Sequence, residues 1–370
     1  MLGLYIHVPF CASKCPYCDF YSLPSPTASV MDEYAEELAR RLSALPSDIQ
    51  ADTLYFGGGT PSLLGGKRLS ALLNAARPFL TADAEVTLEA NPADELFETF
   101  CAFRDGGGNR LSMGMQAATA DGLTALGRRH TTNDLARAVE AAHKAGLHNL
   151  SLDIMLATPK QTAADIDRAV QACIDSEATH VSAYLLKTEP GTPFFERRET
   201  LALPDEDEEA ALYLHACERL EGAGYTQYEI SNFAKDGCQS RHNLKYWNGE
   251  PYLGLGPSAH SFYRGERTCF PRSLTAFLQG ATPVKEDPDS VIEEDSAEEY
   301  MLLRLRLCDG IDRRLFEARF GVPVPFAVER AALRLPPSLV TVDERRIALT
   351  REGFLLSNAL IAKLLWDEAE

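Results

Sequence analysis

The sequence predicts an α/β fold in which six β/α units form an open parallel sheet, followed by an additional strand and loop region and a small C-terminal winged-helix-like domain. Apolar runs rich in β-forming residues alternate with amphipathic helical stretches from the amino terminus, which is the pattern of right-handed crossovers between parallel strands. The chain has 370 residues, more than one typical domain, so a large domain and a small one are expected.

The parallel strands of the large domain coincide with the apolar runs. They are predicted near residues 2–8, 53–58, 84–90, 109–115, 149–155 and 180–186. Helices are predicted between them, for example over 31–45, where leucines recur at helical spacing, and over 134–145, which Gly146 ends. Six units are too few to close an eight-stranded barrel, and the functional site is expected at the carboxyl ends of the strands.

The chain after the sixth strand predicts an extension of this domain. A helix near 205–223 precedes a strand at 225–230 and a long irregular section that runs to about residue 280. Loops of that length inside a compact domain are usually functional or disordered, and the aromatic content of this one favours function. Residues 1–225 are therefore assigned to the barrel and 226–282 to its extension.

The last part of the chain predicts a separate small module. Residues 283–295 are rich in proline and acidic side chains, which is typical of a linker. Residues 296–370 follow, with helices predicted at 296–308 and around 315–320 and a strand at 347–349. Winged modules of this kind often bind DNA, but the acidic character of this one favours docking onto the barrel.

Charge and composition exclude several classes of partner. The net charge is −18 and no long run of lysine and arginine is present, so nucleic acid is not expected as a partner. The sequence has neither a long apolar span nor a leader peptide, so a cytoplasmic location is expected. The acidic charge opposes attachment to anionic lipid, which leaves contact with a membrane only through a protein partner.

Three cysteines near the amino terminus are the strongest functional signal. Cys11, Cys15 and Cys18 bring three thiolates to one point but supply no fourth ligand. Structural zinc sites usually have four protein ligands, often in paired Cys-x2-Cys turns, so a zinc knuckle would need His7 or Asp19 as well. An iron–sulfur cubane bound by three cysteines keeps one iron open to an outside ligand.

This spacing, directly after the strand at 4–10, resembles the radical S-adenosylmethionine (SAM) superfamily. The resemblance implies a partial (βα)6 radical SAM barrel and a 4Fe-4S cluster whose open iron is chelated by SAM. It also implies cleavage of SAM to methionine and a 5'-deoxyadenosyl radical, with Tyr5 beside the cluster. The six remaining cysteines are scattered singly and predict buried thiols rather than disulfides.

Polar and glycine residues at the ends of the predicted strands match the SAM-binding positions of that superfamily. Consecutive glycines let the backbone approach a ligand, although a glycine triplet is also compatible with a tight turn. Charged groups inside apolar strands also fit a buried ion pair with Arg110 or Arg128. The residues that the resemblance assigns to SAM are Tyr5, Gly57, Gly58, Gly59, Thr60, Glu89, Gln116, Arg128 and Asp153.

Two branches of the superfamily share this layout, the oxygen-independent coproporphyrinogen III oxidases and the HemW-type haem chaperones. The oxidases have a further cysteine where this chain has Phe20, and an amino-terminal extension before the strand that begins here at Leu2. The segment 242–247, His-Asn-Leu-Lys-Tyr-Trp, resembles a motif of the chaperones and makes His242 the candidate axial ligand of haem, although a histidine among aromatics also fits core packing. His260 is a second candidate ligand or a residue of the SAM cavity.

The resemblance covers nearly the whole chain, including a C-terminal module like that of HemN. One departure is Ala157-Thr158, where the family usually has Gly-Leu. The leading hypothesis is a cytoplasmic chaperone that carries the cluster and SAM and delivers haem, its cargo, to recipient haemoproteins, with respiratory proteins among the candidates. A homodimer is a candidate assembly.

Two other hypotheses remain open at this point. The chain could be a coproporphyrinogen III oxidase that decarboxylates porphyrinogen propionates, an activity that the missing features argue against, or a structural protein without cluster or haem. The role of the cluster, and whether SAM is cleaved, are left open by the sequence.

Overall fold

One large twisted sheet organises the chain. In this computed structural model, which describes residues 1–93, 95–285 and 295–366, twelve strands form that sheet. All strands of the described residues, in chain order, are β1 (Leu2–Val8), β2 (Phe10–Cys11), β3 (Leu23–Pro24), β4 (Ala51–Gly58), β5 (Leu80–Ala90), β6 (Arg110–Gln116), β7 (Leu150–Leu156), β8 (His180–Leu185), β9 (Thr226–Gln227), β10 (Asn232–Ala234), β11 (Tyr252–Leu255), β12 (His260–Tyr263), β13 (Glu266–Cys269), β14 (Val284–Lys285), β15 (Ile311–Asp312), β16 (Val340–Val342) and β17 (Arg346–Leu349). The large sheet contains all of them except β2 and β3, which pair with each other, and β15 to β17, which form a sheet of their own.

Helices cover one face of this sheet and build most of the C-terminal module. The α-helices are α1 (Ala28–Ser43), α2 (Gly65–Ala76), α3 (Phe97–Asp105), α4 (Ala120–Ala125), α5 (Thr132–Lys144), α6 (Ala163–Asp175), α7 (Pro193–Glu196), α8 (Glu206–Gly222), α9 (Arg241–Trp247), α10 (Leu274–Leu278), α11 (Ala297–Arg304), α12 (Arg313–Phe320), α13 (Phe326–Leu333), α14 (Arg351–Leu355) and α15 (Ser357–Leu365). Two short 3-10 helices span Pro61–Leu64 and Arg77–Phe79.

The six predicted parallel strands are confirmed. β1 and β4 to β8 pair in parallel in the order of the chain, as right-handed β/α units require. Helices α5, α6 and α8 begin with capping boxes, in which a side chain at the helix start and an acidic residue three positions later satisfy backbone amides in both directions. These caps fix where each crossover helix begins.

Alternation along the strands separates the core from the barrel interior. Leu54, Leu88 and Leu152 face the helices and are fully buried in the main apolar core. Their neighbours, such as Glu89 and Asp153, face the opposite side and line cavities inside the barrel. Because side chains alternate along a strand, one register places a complete row of polar groups inside the barrel.

The section predicted to be irregular is largely regular, and this prediction was wrong. β11 pairs in parallel with β1, and β12 to β14 continue the sheet as an antiparallel meander. On the other edge, the strand predicted at 225–230 is reduced to β9, and β10 pairs with β8 in antiparallel fashion. The start of the predicted linker belongs to β14, and its part from 286 to 294 lies outside the described residues.

The C-terminal module contains a three-stranded antiparallel sheet, β15-β17-β16, and five helices, which agrees with the predicted winged arrangement. It docks on the barrel and its extension. Arg351 forms an ion pair with Glu221 of α8, and Arg304 donates a hydrogen bond of 2.6 Å to the side-chain oxygen of Asn248. A search of the described part of the chain finds no helix with the length and apolarity needed to cross a membrane.

Candidate functional site

The cysteine loop lies at the carboxyl end of β1, where the parallel strands of the barrel end. Cys11 is the last residue of β2, which pairs with β3 and so closes the loop around the other two cysteines. Two backbone hydrogen bonds tie this loop to the segment after β4: Gly59 N–H to the Val8 carbonyl at 2.8 Å, and Thr60 N–H to the Phe10 carbonyl at 2.6 Å. The first two strands of the barrel therefore position the thiols together.

Most of the predicted site residues meet at one cavity. It is lined by Cys11, Cys15, Cys18, Gly58, Gly59, Thr60, Glu89, Gln116, Arg128 and Asp153, together with residues not singled out from the sequence, such as Tyr17, Ser112 and Tyr184. These residues come from the six parallel strands β1 and β4 to β8 or the loops after them. The residues are far apart in the sequence but close together in the fold, as expected for a site at the carboxyl ends of parallel strands.

Tyr5 and Gly57 do not line this cavity, and their assignment to the SAM site stays a prediction. The Tyr5 ring lies deeper in the barrel, stacked near Tyr55 and His242, and its hydroxyl is 3.1 Å from His7 Nδ1. A Cβ atom added to Gly57 would lie 2.9 Å from the Tyr55 ring, so this glycine makes room for packed aromatics. Both residues therefore belong to the packing inside the barrel next to the cavity.

The next two glycines allow close approach to the cysteine loop. Gly58 has a φ of +109°, a conformation that side chains rarely adopt. A Cβ atom on Gly59 would lie 2.5 Å from the Phe10 carbonyl oxygen, which is a backbone atom that cannot rotate away. These glycines are required for the contact between β4 and the cysteine loop.

Two carboxyl groups inside the barrel have raised pKa values. Burial raises the pKa of Glu89 to about 7, although the Tyr55 hydroxyl and the Gly58 N–H donate hydrogen bonds of 2.8 and 3.1 Å to its oxygens. Burial likewise raises the pKa of Asp153 to about 6, and Ser112 donates to it at 3.4 Å. Near neutral pH both groups can therefore exist as acid or carboxylate.

Arg128 and Gln116 lie on the opposite wall of the cavity. Arg128 Nη1 lies 3.4 Å from Cys15 Sγ, Nη2 donates to the Gly114 carbonyl at 2.9 Å, and Nε has no hydrogen-bond partner. The neighbouring Arg129 is exposed, so the structure agrees with the choice of Arg128. Gln116 has a φ of +65°, a strained conformation that is often found at functional sites.

The zinc alternative is not supported by the side chains around the loop. His7 Nε2 is 2.8 Å from the Tyr21 carbonyl oxygen and Nδ1 faces the Tyr5 hydroxyl, so both ring nitrogens have partners. Asp19 is exposed and lies 3.9 Å from Arg272. Within the described residues, no three His, Cys, Asp or Glu side chains surround a common point at which a single ion could bind. Three soft thiolates beside a polar cavity fit an iron–sulfur cluster with an open iron better.

His242 does not face a cavity, and its assignment as a haem ligand stays a prediction that this environment does not favour. Its ring is fully buried, with Nδ1 2.8 Å from Thr53 Oγ1 and Nε2 2.8 Å from the Tyr246 hydroxyl. Burial lowers its pKa to about 3, and the charge of Lys245 adds to this effect. A ligand role would require both hydrogen bonds to break. His260 is exposed on β12 and does not line the cavity of the cysteines.

The motif at residues 242–247 instead belongs to α9, and its first residues help to hold this helix beneath the barrel. The Glu85 carboxylate accepts hydrogen bonds of 3.0 Å from the backbone amides of Arg241 and His242, at the start of the helix. A carboxylate at this position satisfies amides that have no partner within the helix. The next residue, Asn243, lines the barrel cavity, and Trp247 lines a neighbouring cavity beside the C-terminal module.

The loop at Ala157 retains the backbone that the family's glycine would allow. Ala157 has a φ of +57° and is buried, so an alanine occupies a left-handed position. A side chain there costs about 1–2 kcal/mol relative to glycine. An alanine at this position therefore adds strain to the loop.

Comparison with known proteins agrees with this architecture. The family model for the radical SAM superfamily matches residues 5–173, and the model for the HemN C-terminal domain matches 292–356. The chain superimposes on the coproporphyrinogen III oxidase HemN of Escherichia coli with a TM-score of 0.81, over 99% of this chain and 90% of that one, at 21% identity. Identity at that level shows a shared fold alone.

Curated relatives are more similar in sequence. The heme chaperone HemW of Mycobacterium tuberculosis is 36% identical over 98% of this chain and 94% of its own length. The proteins of the same name from Escherichia coli and Bacillus subtilis are 36% and 33% identical and are covered over 98% and 100% of their lengths. On this near full-length similarity, together with the radical SAM fold, the chain belongs to the HemW heme chaperone family.

Proposed function

We propose that this chain is a haem chaperone that holds haem as cargo and passes it to recipient haemoproteins, and that it carries a 4Fe-4S cluster and SAM. The observation that carries the proposal is the similarity, at 36% identity over 98% of the chain, to relatives named heme chaperones. The free state of all nine cysteines supports a reducing, cytoplasmic location.

The proposed cluster ligands are Cys11, Cys15 and Cys18. They line a single cavity, and hydrogen-bond donors reach two of the sulfurs, with Thr60 Oγ1 3.6 Å from Cys11 and Arg128 Nη1 3.4 Å from Cys15. Such donors stabilise negative charge on sulfur and tune an iron–sulfur site. When bound and reduced, the cluster would supply one electron to SAM.

The polar wall of the same cavity is the proposed SAM site. The Arg128 guanidinium can bind a carboxylate through two donors, and its Nε is unpaired. Glu89, in its ionised form, can accept hydrogen bonds from ribose hydroxyls, and the Gly58 N–H holds it in place. Gln116 and Asp153 complete the wall, and Thr60 supports the cysteine loop.

The proposed haem site is the cavity next to the cysteines rather than the His242 ring. It adjoins the cysteine cavity through Glu89, Ser112 and Asp153, which line both. The cavity beside the C-terminal module continues it and adds Tyr246 and Trp247 of the motif. Aromatic and aliphatic walls suit a flat apolar macrocycle.

The oxidase alternative makes a different prediction. A coproporphyrinogen III oxidase would convert its substrate in the presence of SAM and reductant, whereas a chaperone would bind haem without that conversion. Phe20 stands where the oxidases have a further cysteine, which supports the chaperone.

Haem titration on anaerobically reconstituted protein tests this proposal. We expect stoichiometric binding with a Soret band, and no protoporphyrinogen from coproporphyrinogen III, SAM and reductant. His242→Ala should keep the wild-type Soret maximum, because that ring is buried away from the cavities, and His215→Ala serves as a control on α8. No specific binding by wild type would contradict the chaperone function. Loss of the Soret signature only in a folded His242→Ala protein would restore His242 as ligand.

A further inference from the structure

Among the described residues, Arg110 is a buried cation that forms no ion pair. It begins β6, and only 1% of its surface is exposed. Its Nε atom has no hydrogen-bond partner, and within the described residues its guanidinium forms no ion pair. Buried arginines are normally paired, because an uncompensated charge in the interior is costly.

The two acids inside the barrel do not supply the missing partner. Glu89 and Asp153 are close enough for their pKa values to be lowered by the charge of Arg110, but neither forms an ion pair with it. Their oxygens accept hydrogen bonds from Tyr55, Gly58 and Ser112 instead. Burial raises the pKa of Glu89 to about 7, so this acid is only partly ionised at neutral pH.

Arg110 faces a cavity with two kinds of wall. Asn232, Asn243 and Ser182 line it on the polar side, and Asn232 Oδ1 is itself buried without a hydrogen-bond partner. The rest of the lining combines apolar residues, such as Leu186 and Phe20, with the acidic residues Asp19, Glu89, Asp153 and Glu189. An anionic group in this cavity must therefore reach Arg110 and avoid the acids, and a broad apolar body attached to it can lie against Leu186 and Phe20, a phenylalanine that is 68% exposed.

We propose that Arg110 binds a propionate carboxylate of the haem cargo in this cavity. The inference rests on the proposed function, since haem is the ligand that function assigns to the chain. A guanidinium can hold both oxygens of a carboxylate at once, and the apolar wall can cover the edge of the macrocycle. Arg110 is thus the anchor that orients haem through its periphery, independently of the axial ligand of its iron.

Lys187 is the other cation in this cavity that could attract a carboxylate. It lines the same cavity, but it is exposed, so water already solvates its charge. Exposed ion pairs contribute little, whereas a carboxylate that reaches a buried arginine gains a strong charge-assisted hydrogen bond. The comparison of Arg110 with Lys187 therefore separates a specific anchor from general attraction to positive charge.

The test compares haem with haem dimethyl ester, which lacks both carboxylates, on anaerobically reconstituted protein. The titrations use wild type, Arg110→Gln and the control Lys187→Gln. We expect wild type to bind the ester roughly tenfold to hundredfold more weakly than haem, which is the range for a hydrogen bond to a charged group. Arg110→Gln should lose this preference, and Lys187→Gln should keep it.

The outcomes distinguish the anchor from the proposed function. Absence of haem binding by wild type overturns both. If wild type binds haem and its dimethyl ester with equal affinity, the anchor alone is overturned. The same holds if Lys187→Gln loses the preference for haem over the ester and Arg110→Gln keeps it. If Arg110→Gln does not fold, Arg110→Lys replaces it, because the charge is kept and the two-donor geometry is lost. Protoporphyrin IX and its dimethyl ester repeat the comparison without iron, so a preference that disappears with iron removed also contradicts the anchor.

Discussion

The ionisation of Glu89 should make the protein less stable as the pH rises, and Glu89→Gln should remove this effect. The pKa of a glutamate is 4.5 in the unfolded chain, and burial raises that of Glu89 to about 7. Between these values the native chain holds a proton that the unfolded chain has released. The free energy of unfolding therefore falls through this window and levels off above about pH 7.

The size of the effect follows from the two pKa values. Ionising Glu89 in the native state costs about 3 kcal/mol more than in the unfolded state. Glutamine cannot ionise, and the hydrogen bond it loses to Tyr55 or Gly58 is lost at every pH. The variant should thus gain about 3 kcal/mol on wild type between pH 5 and pH 8.

Thermal unfolding of SAM-free protein, followed between pH 5 and pH 8 under anaerobic conditions, measures this difference. The curves of wild type and Glu89→Gln should diverge with rising pH, whereas those of wild type and the exposed-site control Glu36→Gln should run in parallel. Parallel curves for Glu89→Gln would refute the reasoning, because they would mean that Glu89 ionises in the fold as readily as in water.

Three further changes test other parts of the site. Gly59→Ala should lower the free energy of unfolding by about 1–3 kcal/mol and should also lower iron incorporation. Gly222→Ala, whose added Cβ meets no neighbour, should lower neither quantity. Equal iron content in the two variants would contradict the close approach of Gly59 to the cysteine loop. Ala157→Gly should raise the free energy of unfolding by about 1 kcal/mol in urea titrations, and an unchanged midpoint would argue against strain. Arg128→Lys should weaken SAM binding at least tenfold in equilibrium dialysis and Arg129→Lys should not; similar affinities would remove Arg128 from the SAM site.

The sequence identifies the six parallel strands because each is an apolar run that can be recognised without knowing which strands pair with it. β11 was missed because Tyr252–Leu255 is short, contains a glycine and is followed by Gly256, which reads as a loop. Only its pairing with β1 makes it a strand. Strand propensity depends on such neighbours more than helix propensity does, so a four-residue strand is hard to predict alone.

The sequence places side chains in the candidate site where position at a strand end decides this, and does not do so where the orientation of the side chain decides it. Cys11, Glu89 and Asp153 follow from placement at the carboxyl ends of strands. His242 and Asn243 are neighbours in one motif, yet the first faces the core and the second the cavity. Residues next to each other on a helix point in directions about 100° apart, and the docking of α9 against Glu85 selects which one reaches the cavity.

The two cavities cannot act independently, because the same acids form part of both. Glu89 and Asp153 line the cavity of the cysteines and the cavity of Arg110, and their pKa values lie where small changes in nearby charge alter protonation. A cation or anion bound on one side therefore changes the charge that a ligand meets on the other. Coupling of this kind is reciprocal: whatever SAM does to the affinity for cargo, cargo must do to the affinity for SAM. Because the two cavities share a pair of buried acids, binding of cargo in one cavity can change the affinity of the other cavity for its cofactor.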